Sequence, residues 1–287
     1  MNPTPPSLPA ELLDGLRAYP MPAVAHEDKH GRGTTLIVGG SVATPGAVLL
    51  AGRAALRAGA GRLRIITAPE VSVAVAVAVP EARVGTWADL HELADDADAV
   101  VIGPGLLDDD IACDVLTTVA DQRDPVPVVV LDALAIGAID ADLGARLALR
   151  DRLVLTPNAA ELHQLSGDRD PHISAPRVAQ HLRAAVVSFD VVAAPNGAVW
   201  VDPIEVVGLG TSGAGDVLAG IVGGFAATAR DATTAACWGG AVHRRAAQLV
   251  ASRIGPLGYL ASDLAEAVPA VVDHLLAELA PHDQSGQ

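Results

Sequence analysis

Aromatic residues are scarce in this chain: phenylalanine, tyrosine and tryptophan together make up only 2% of the 287 residues. Hydrophobic residues nevertheless account for 51%, so the chain is able to bury a large core. That core has to be built from alanine, valine, leucine and isoleucine. The composition therefore predicts a globular protein whose core side chains are small.

Cysteines and long apolar runs are also lacking. Two cysteines, Cys113 and Cys237, give no disulfide framework and suit a reducing compartment. The longest apolar run, residues 71–80, is interrupted by Ser72 and is too short to span a bilayer. The N-terminus lacks the charged-then-apolar pattern of a signal peptide. These features predict a cytoplasmic protein.

Positive charge is the third shortage, because 19 lysines and arginines face 34 acidic residues and leave a net charge of −15. Such a protein is not expected to bind nucleic acid or an anionic membrane surface. If it binds a phosphate-bearing small molecule, it has to focus a few basic residues, backbone N–H groups or a metal ion at one place.

No linker or internal repeat divides the chain. We expect one domain over residues 26–280, followed by a polar tail at 281–287. Residues 1–25 form a proline-rich N-terminal arm that carries a short amphipathic piece at 11–19.

The most informative stretch runs from Gly208 to Gly220 and reads GLGTSGAGDVLAG. Its glycines allow positive φ and close approach of a ligand, and the N–H groups of the helix that follows favour an anion. Asp216 would repel a phosphate that was merely held there. It is better placed as a general base that takes a proton from a hydroxyl attacking a phosphoryl group. The alternative is that Asp216 only caps the helix.

Two motif matches in the chain do not fit their context. Gly208, Gly210 and Gly213 match G-x-G-x-x-G, but a dinucleotide motif opens a βαβ unit, and mainly helical sequence follows here. Residues 26–30 match the zinc motif H-E-x-x-H, which works only on a helix. They lie between prolines and glycines without an apolar face. We predict neither a dinucleotide fold nor a zinc site.

The rest of the chain alternates predicted strands and helices. Strands are predicted at 34–40, 62–68, 97–102, 127–131 and 153–155, and helices at 47–58, 71–79, from 108–110 onward, 159–165, 177–185, 214–227, 233–253 and 262–279. The alternation of valine with small residues at 71–79 is also compatible with a strand. This order indicates a mostly parallel sheet. Strands at 186–194 and 198–202, joined by a hairpin turn at 195–197, add an antiparallel edge. Asp132 and the turn at 156–158 follow strands directly, so we expect them at the carboxyl edge of the sheet, where ligands bind.

The ordered set of motifs resembles the NAD(P)H-hydrate dehydratases of the ribokinase-like superfamily. The resemblance covers about residues 26–275 and implies a three-layer α/β/α sandwich with a mostly parallel central sheet and an antiparallel edge hairpin. Gly-Ala-Gly-Asp alone is shared by the whole superfamily, whereas the order of the set argues against its sugar, pyridoxal and hydroxymethylpyrimidine kinases. The matching stretches are 29–33, 39–41 with 46–47, 54–61, 80–81, 102–105, 131–132, 155–157 with Glu161, and 208–220.

The resemblance implies a repair reaction, in which NADH or NADPH hydrated at C6 of the nicotinamide ring, in its (6S) form, is dehydrated. Bacterial members use ADP and release AMP and phosphate, whereas eukaryotic members use ATP. Hydroxide is a poor leaving group, but phosphorylation of the C6 hydroxyl makes it a good one that the ring nitrogen can expel. Mg²⁺ is expected to bridge the phosphates, without a direct protein ligand.

The same resemblance assigns roles to the glycine segment. Asp216 would deprotonate the C6 hydroxyl and contact the substrate. The N–H groups of Gly213, Ala214 and Gly215 would form an anion hole for the transferred phosphoryl group, and Gly215 would also contact the nucleotide.

Other positions match the substrate pocket or stand near it. Ala47, Gly105 and Asn158 match positions that line the pocket for the hydrated dinucleotide. Asp132 and Glu161 are candidates for positioning a metal ion or water, with capping of a strand end or helix start as the alternative.

The sequence departs from the family pattern in three places. Asn158 replaces the histidine of Thr-Pro-His, and Leu134 replaces the second aspartate after Asp132. The family's Leu-Lys-Gly, which touches the nucleotide, has no lysine at its expected place near residues 185–188. An ADP-dependent dehydratase is the favoured hypothesis. An ATP-dependent small-molecule kinase and a catalytically silent nucleotide-binding protein are the alternatives.

The resemblance also implies partners. The family's companion epimerase is often fused at the N-terminus, but about 25 residues before the first strand are too few for a domain. A separate epimerase acting on the same metabolite is therefore expected. A homo-oligomer is expected from family likeness alone.

Overall fold

The protein is described by a computed structural model over residues 5–22, 28–122 and 124–280. The α-helices are α1 (Ala10–Ala18), α2 (Gly46–Arg57), α3 (Ser72–Ala78), α4 (Leu90–Ala94), α5 (Asp109–Gln122), α6 (Ala141–Arg146), α7 (Ala159–Ser166), α8 (Pro171–Leu182), α9 (Ala214–Ala229), α10 (Ala232–Ile254) and α11 (Ala261–Leu279). The strands are β1 (Thr34–Val38), β2 (Arg62–Ile66), β3 (Ala82–Gly85), β4 (Ala99–Ile102), β5 (Val128–Leu131), β6 (Leu153–Leu155), β7 (Ala184–Ser188), β8 (Val191–Ala193) and β9 (Val199–Val201).

One sheet contains all these strands, in the order β3-β2-β1-β4-β5-β6-β7-β8-β9. Pairing is parallel from β3 through β7, and β8 and β9 add an antiparallel edge. This confirms the predicted mostly parallel sheet with its edge hairpin.

Helices cover both faces of the sheet. Along β1, Ile37 belongs to one apolar cluster and Leu36 and Val38 to the other, because successive side chains of a strand point to opposite faces. The first cluster also contains residues of α1, α2, α9, α10 and α11, and the second contains residues of α5, α7 and α8. The result is the predicted three-layer sandwich.

The first helix, α1, packs on this frame through Leu12 and Leu16, which are buried in the first cluster. The indole Nε1 of Trp238 donates to the Tyr19 carbonyl at 3.0 Å. This part of the predicted N-terminal arm therefore contacts α10 directly. No helix in the described ranges is apolar over enough length to cross a bilayer.

Two predicted boundaries were wrong. The polar stretch before Arg177 is already helical, because Asp170 accepts from the His172 N–H and Pro171 occupies the first helical position. The predicted strand 186–194 is two antiparallel strands, β7 and β8, which are separated by a tight turn where Phe189 has a φ of 53°. Three elements were not predicted: the edge strand β3 and the short helices α4 and α6.

Candidate active site

The carboxyl ends of four neighbouring strands lie level with one another. The register pairs Val38 with Ile102, Ile102 with Leu131, and Leu131 with Leu155. The residues that follow these strand ends therefore form one edge of the sheet, which we call the rim. Asp132 and the 156–158 turn lie on it, as the sequence predicted.

Helix α9 brings Asp216 to the same rim. Its C-terminal part lies against the beginning of the strands: Thr35 Oγ1 donates to the Gly223 carbonyl at 3.2 Å, and Thr228 Oγ1 donates to the Arg32 carbonyl at 3.2 Å. The helix therefore runs opposite to the parallel strands. Its N-terminus, with the positive end of its dipole, opens onto the rim.

The turn into α9 requires glycine at Gly213. This residue has a φ of 88°, and a Cβ there would lie 2.6 Å from Cδ1 of Leu50 and 3.2 Å from Cβ of Ala261. The Ala214 N–H donates to the Thr211 carbonyl at 3.2 Å, so it takes part in the turn itself. Gly215 belongs to the first helical turn, where N–H groups have no acceptor within the helix.

Asp216 is half-buried at this helix start. Burial raises the pKa of its carboxyl from 3.8 to about 6. One carboxylate oxygen lies 3.7 Å from the position that a Gly213 Cβ would occupy, so the side chain faces the glycine turn. A carboxylate with this pKa is ionised at neutral pH and is a stronger base than an exposed aspartate.

His243 of α10 packs behind the same turn and is also buried. Burial lowers the pKa of its imidazole to about 4, and the nearby Ala214 backbone opposes part of this shift. The ring is therefore neutral near pH 7 and adds no charge behind the helix start. His243 was not among the predicted site residues, since a single histidine in an apolar helix gives no signal.

Asp132 is the second carboxylate of the rim and is almost fully buried, with 5% of its surface exposed. Thr156 Oγ1 donates to its Oδ1 at 2.8 Å. Burial raises the pKa of Asp132 to about 7; the Thr156 hydrogen bond opposes the rise, and the charges of Asp216 and Glu161 add to it. The charges of Asp216 and Glu161 therefore both act on Asp132 at this rim.

Asn158 and Glu161 form a reciprocal cap at the start of α7. The Asn158 Oδ1 accepts from the N–H groups of Ala160 at 2.9 Å and Glu161 at 3.1 Å, and the Glu161 carboxylate accepts from the Asn158 N–H at 2.9 Å. This capping box holds both side chains at the rim. The amide nitrogen of the exposed Asn158 side chain does not take part in it.

Ala47 and Gly105 lie together at another part of the rim. A Cβ on Gly105, whose φ is 67°, would come within 2.8 Å of the Ala47 Cβ. The Thr44 Oγ1 donates to the Gly105 carbonyl at 2.9 Å, which ties this loop to the start of α2. Gly105 also lies close to the Thr44 carbonyl, so the two backbone segments approach each other closely here.

Three open clefts surround this edge. A cleft of about 600 Å³ includes Asn158 and Glu161 in its lining, and one of about 350 Å³ includes Ser41, Trp87 and Leu106. A third cleft, of about 510 Å³, lies beside the glycine segment. Its walls are largely apolar, and its lining is Pro171, Phe189, Pro203, Ile204, Val206, Leu209 and Gly210 together with Asp190, Asp202, Glu205 and Arg244. Sequence reasoning missed Trp87 and the apolar walls, because they come from separate segments that only the fold brings together.

The residues where a lysine was expected lie on β7. Ser188 Oγ donates to the Pro157 carbonyl at 2.7 Å, so this strand end is tied to the 156–158 turn. Arg244 is the basic residue in the lining of the third cleft. Its guanidinium donates to the Phe189 carbonyl at 3.3 Å and to the Ile204 carbonyl.

Mg²⁺ prefers oxygen ligands, usually one or two carboxylates together with phosphates and water. Within the described ranges, no three histidine, cysteine or acidic side chains are close enough to hold a metal ion together. Asp132, Glu161 and Asp216 are separate carboxylates at the rim. Such an arrangement fits a Mg²⁺ ion that is held mainly by the phosphates of a ligand and by water. His26 and Glu27 of the H-E-x-x-H match lie outside the described residues.

Fold and rim together define a ribokinase-like α/β protein with a glycine-rich helix start and a carboxylate beside it. A solved ribokinase-like superfamily protein from Enterococcus faecalis has the same fold, with a TM-score of 0.73 at 22% identity over 91% of this chain and 94% of that one. The chain belongs to the NAD(P)H-hydrate dehydratase family, whose model matches residues 35–270.

Relatives with assigned activities support this membership. The chain is 43% identical to an ADP-dependent (S)-NAD(P)H-hydrate dehydratase from Xanthomonas campestris, over 91% of this chain and 94% of the relative. It is 34% identical to a bifunctional NAD(P)H-hydrate repair enzyme from Escherichia coli, but it spans only 52% of that protein. An ADP/ATP-dependent NAD(P)H-hydrate dehydratase from Bacillus subtilis, co-crystallised with ATP and Mg²⁺, superposes with a TM-score of 0.77 at 26% identity, over 94% of this chain and 99% of that one.

Proposed function

We propose that this protein dehydrates the (6S) form of hydrated NADH and NADPH, with ADP as the phosphoryl donor and AMP and phosphate as products. The observation that carries the proposal is Asp216, a half-buried carboxylate at the positive end of α9 on the ligand-binding rim. Family membership and the 43% identical relative support the substrate.

The reaction needs a base beside a site for a moving phosphoryl group. Asp216 takes the proton of the C6 hydroxyl as that oxygen attacks the β-phosphorus of ADP. The backbone N–H groups around Gly213 and Gly215 stabilise the transferred group. Ala214 contributes its N–H if the turn to Thr211 opens. AMP leaves, and the phosphorylated C6 oxygen then departs as phosphate.

The clefts suggest where each substrate lies. The apolar cleft beside Gly210 suits the base of ADP, with its phosphates directed to the start of α9. The hydrated dinucleotide then lies along Ala47, Gly105 and Asn158. The free amide of Asn158 can donate a hydrogen bond to this ligand where other family members carry histidine.

Mg²⁺, when bound, neutralises charge on the donor phosphates. The residues fit an ion that reaches the protein through water. Glu161 is the carboxylate placed to orient such a water, because it is partly exposed and lines the largest cleft.

The lack of a lysine on β7 bears on the choice of donor. Arg244 lies at that edge but donates to Phe189, Asp202 and Ile204, so it offers the nucleotide little free charge. We infer that binding of the donor relies on the α9 amides and Mg²⁺. ADP remains the proposed donor, in line with the named relatives.

The location, the oligomeric state and the source of the substrate are further parts of this proposal. We infer that it acts in the cytoplasm, as a homo-oligomer, and that a separate epimerase supplies the (6S) form. One domain over residues 26–280 carries the activity.

The test is an assay of the purified chain with enzymatically hydrated NADH and ADP, ATP or no donor. The expected result is restored absorbance of reduced nicotinamide, with release of one AMP and one phosphate, in the ADP reaction. A stable phosphate ester without restored absorbance would instead identify a small-molecule kinase.

The missing lysine favours one other candidate, a silent nucleotide-binding protein. Calorimetric titration with ADP and ATP distinguishes it. Tight binding without turnover of either donor would establish the silent protein, whereas binding with turnover would exclude it.

A further inference from the structure

Dehydration removes two groups from the nicotinamide ring, and Asp216 accounts for only one proton. When phosphate leaves C6, the C6–O bond breaks and the nitrogen lone pair forms a cationic C=N bond. Reduced nicotinamide is recovered only when a proton leaves the adjacent C5. Its C–H electrons then form the C5=C6 double bond, and the nitrogen regains its lone pair. A second proton acceptor is therefore required if the proposed function is right.

Asp216 is poorly suited to this second step. It has taken the hydroxyl proton during phosphoryl transfer, and it lies beside the phosphate that has just formed. The second acceptor has to lie on the same rim, away from the α9 amides, and be sheltered from solvent. A sheltered acceptor favours loss of the proton over return of water to the cation.

We propose that Asp132 accepts the C5 proton. It follows β5 directly, at the centre of the rim, and Thr156 Oγ1 holds one of its oxygens at 2.8 Å. Its backbone is fixed as well, since the Asp132 N–H donates to the Ile102 carbonyl at 3.0 Å and Gly103 packs closely on the Asp132 carbonyl. Only 5% of its surface is exposed.

The electrostatics of the rim support this role. Asp132 and Asp216 lie on the same rim, and the charge of Asp216 adds to the rise in the Asp132 pKa. Its raised pKa, about 7, makes it a better proton acceptor than an exposed aspartate. Glu161 is less suitable, because its carboxylate accepts the Asn158 N–H in the capping box and is more exposed.

Loss of this acceptor has a distinctive consequence. In an Asp132→Asn variant, phosphoryl transfer and loss of phosphate continue, but the cation keeps its C5 proton. Water then adds to C6 and releases a proton to solvent, which regenerates the hydrate. The variant consumes ADP without restoring an equivalent amount of NADH.

The experiment measures AMP, phosphate and restored NADH together for the wild type, Asp132→Asn and Asp216→Asn. We expect equal amounts from the wild type. Asp132→Asn should restore NADH at least ~10-fold more slowly while phosphate exceeds NADH, and hydrate recovered from ¹⁸O-labelled water should carry the label. Asp216→Asn should lose both products. Thr156→Val keeps the Asp132 carboxylate but removes its hydrogen bond, so this variant should release somewhat more phosphate than it restores NADH. It serves as the test if Asp132→Asn does not fold.

Two results would overturn the proposal. An Asp132→Asn protein that still gives one NADH for each phosphate, at any rate, shows that the departing phosphate or solvent takes the proton. A Thr156→Val protein that gives one NADH for each phosphate, with no ¹⁸O label in the recovered hydrate, would also show that Asp132 does not take the C5 proton. Failure of the wild type to make AMP, phosphate or NADH would instead overturn the proposed function.

Discussion

Two aspartates at opposite parts of the sheet are buried to nearly the same extent but have opposite surroundings. Asp202 follows the edge strand β9 and is 2% exposed, whereas Asp132 follows the central strand β5 and is 5% exposed. Asp202 accepts from Arg244 Nε at 3.0 Å and forms an ion pair with Arg245 at 3.0 Å. Asp132 accepts from the Thr156 hydroxyl and from the Ala133 backbone, and it has the like charges of Asp216 and Glu161 nearby.

The difference separates a buried carboxylate that is paired with positive charge from one that lies beside like charges. Two arginines compensate the charge of Asp202 and tie α10 to the edge hairpin, and Asp202 in turn opposes the lowering of the Arg245 pKa by burial. The groups of the described ranges that act on Asp132 are two hydrogen-bond donors and two like charges, so its carboxyl holds a proton more readily than that of an exposed aspartate. Burial alone does not distinguish Asp202 from Asp132, because the two are buried to nearly the same extent. The sign of the neighbouring charges does distinguish them.

The largest expected effect comes from the rim. Asp216→Asn should lower turnover by about 10²- to 10⁴-fold, because the hydroxyl loses its base, while ADP still binds through backbone amides. Steady-state assays and calorimetric titration measure the two properties. An Asp216→Asn enzyme that turns over at the normal rate would show that the base was assigned wrongly.

Removal of the edge carboxylate should act on stability. Asp202→Ala leaves two buried guanidinium groups uncompensated, so the free energy of unfolding should fall by about 3–5 kcal/mol in urea titrations. Glu266→Ala is the matched control, because Glu266 pairs with Arg57 at the surface, where both side chains are largely exposed. That loss should stay below about 1 kcal/mol. Equal losses in the two variants would show that burial of the pair does not matter.

Replacement of Asp132 should have the opposite effect and raise the free energy of unfolding. Folded Asp132 keeps its proton up to about pH 7, whereas the unfolded chain loses it near 3.8, so the folded state binds more protons between these values and stability falls as pH rises. Asp132→Asn removes this penalty and should stabilise the protein near pH 8, by at most about 4 kcal/mol. The gain should vanish near pH 4. Urea midpoints at the two pH values test it, and a loss of stability near pH 8 would contradict the assignment.

The smallest effect concerns the pH dependence of activity. The pKa of about 6 for Asp216 predicts that kcat/KM for AMP release, which precedes the step proposed for Asp132, falls on the acid side of that pH, by about tenfold per unit. Asp202→Asn provides the comparison and should leave the midpoint in place. A midpoint near 4 in the wild type would mean that the essential base is an exposed carboxylate.

Sequence patterns predicted the parts of this site that depend on local order. Strand ends followed by Gly103, Asp132 and Thr156, and the glycine turn before Asp216, are short-range signals with direct structural meaning. The roles given to Gly213, Ala214, Gly215, Ala47, Gly105 and Asn158 came from family resemblance and stay predictions.

The parts that escaped prediction depend on distant segments. Asp202 and Arg244 lie 42 positions apart, and neither is remarkable in its own stretch. The apolar cleft beside Gly210 takes its walls from α8, the β7–β8 turn and the loop after β9. The start of α8 was missed for another reason: the Asp170-Pro171 signal was present but was outweighed by the polar residues around it.

The closeness of α9 to α2 limits how this enzyme can change. Gly220 and Gly224 pack on the backbone carbonyls of Ala51 and Ala55, where even one added methyl group would collide. The two helices thus hold each other closely, and a shift of α9 that moved Asp216 would have to move α2 with it. Side chains larger than that of glycine have no room at these two positions of the seam.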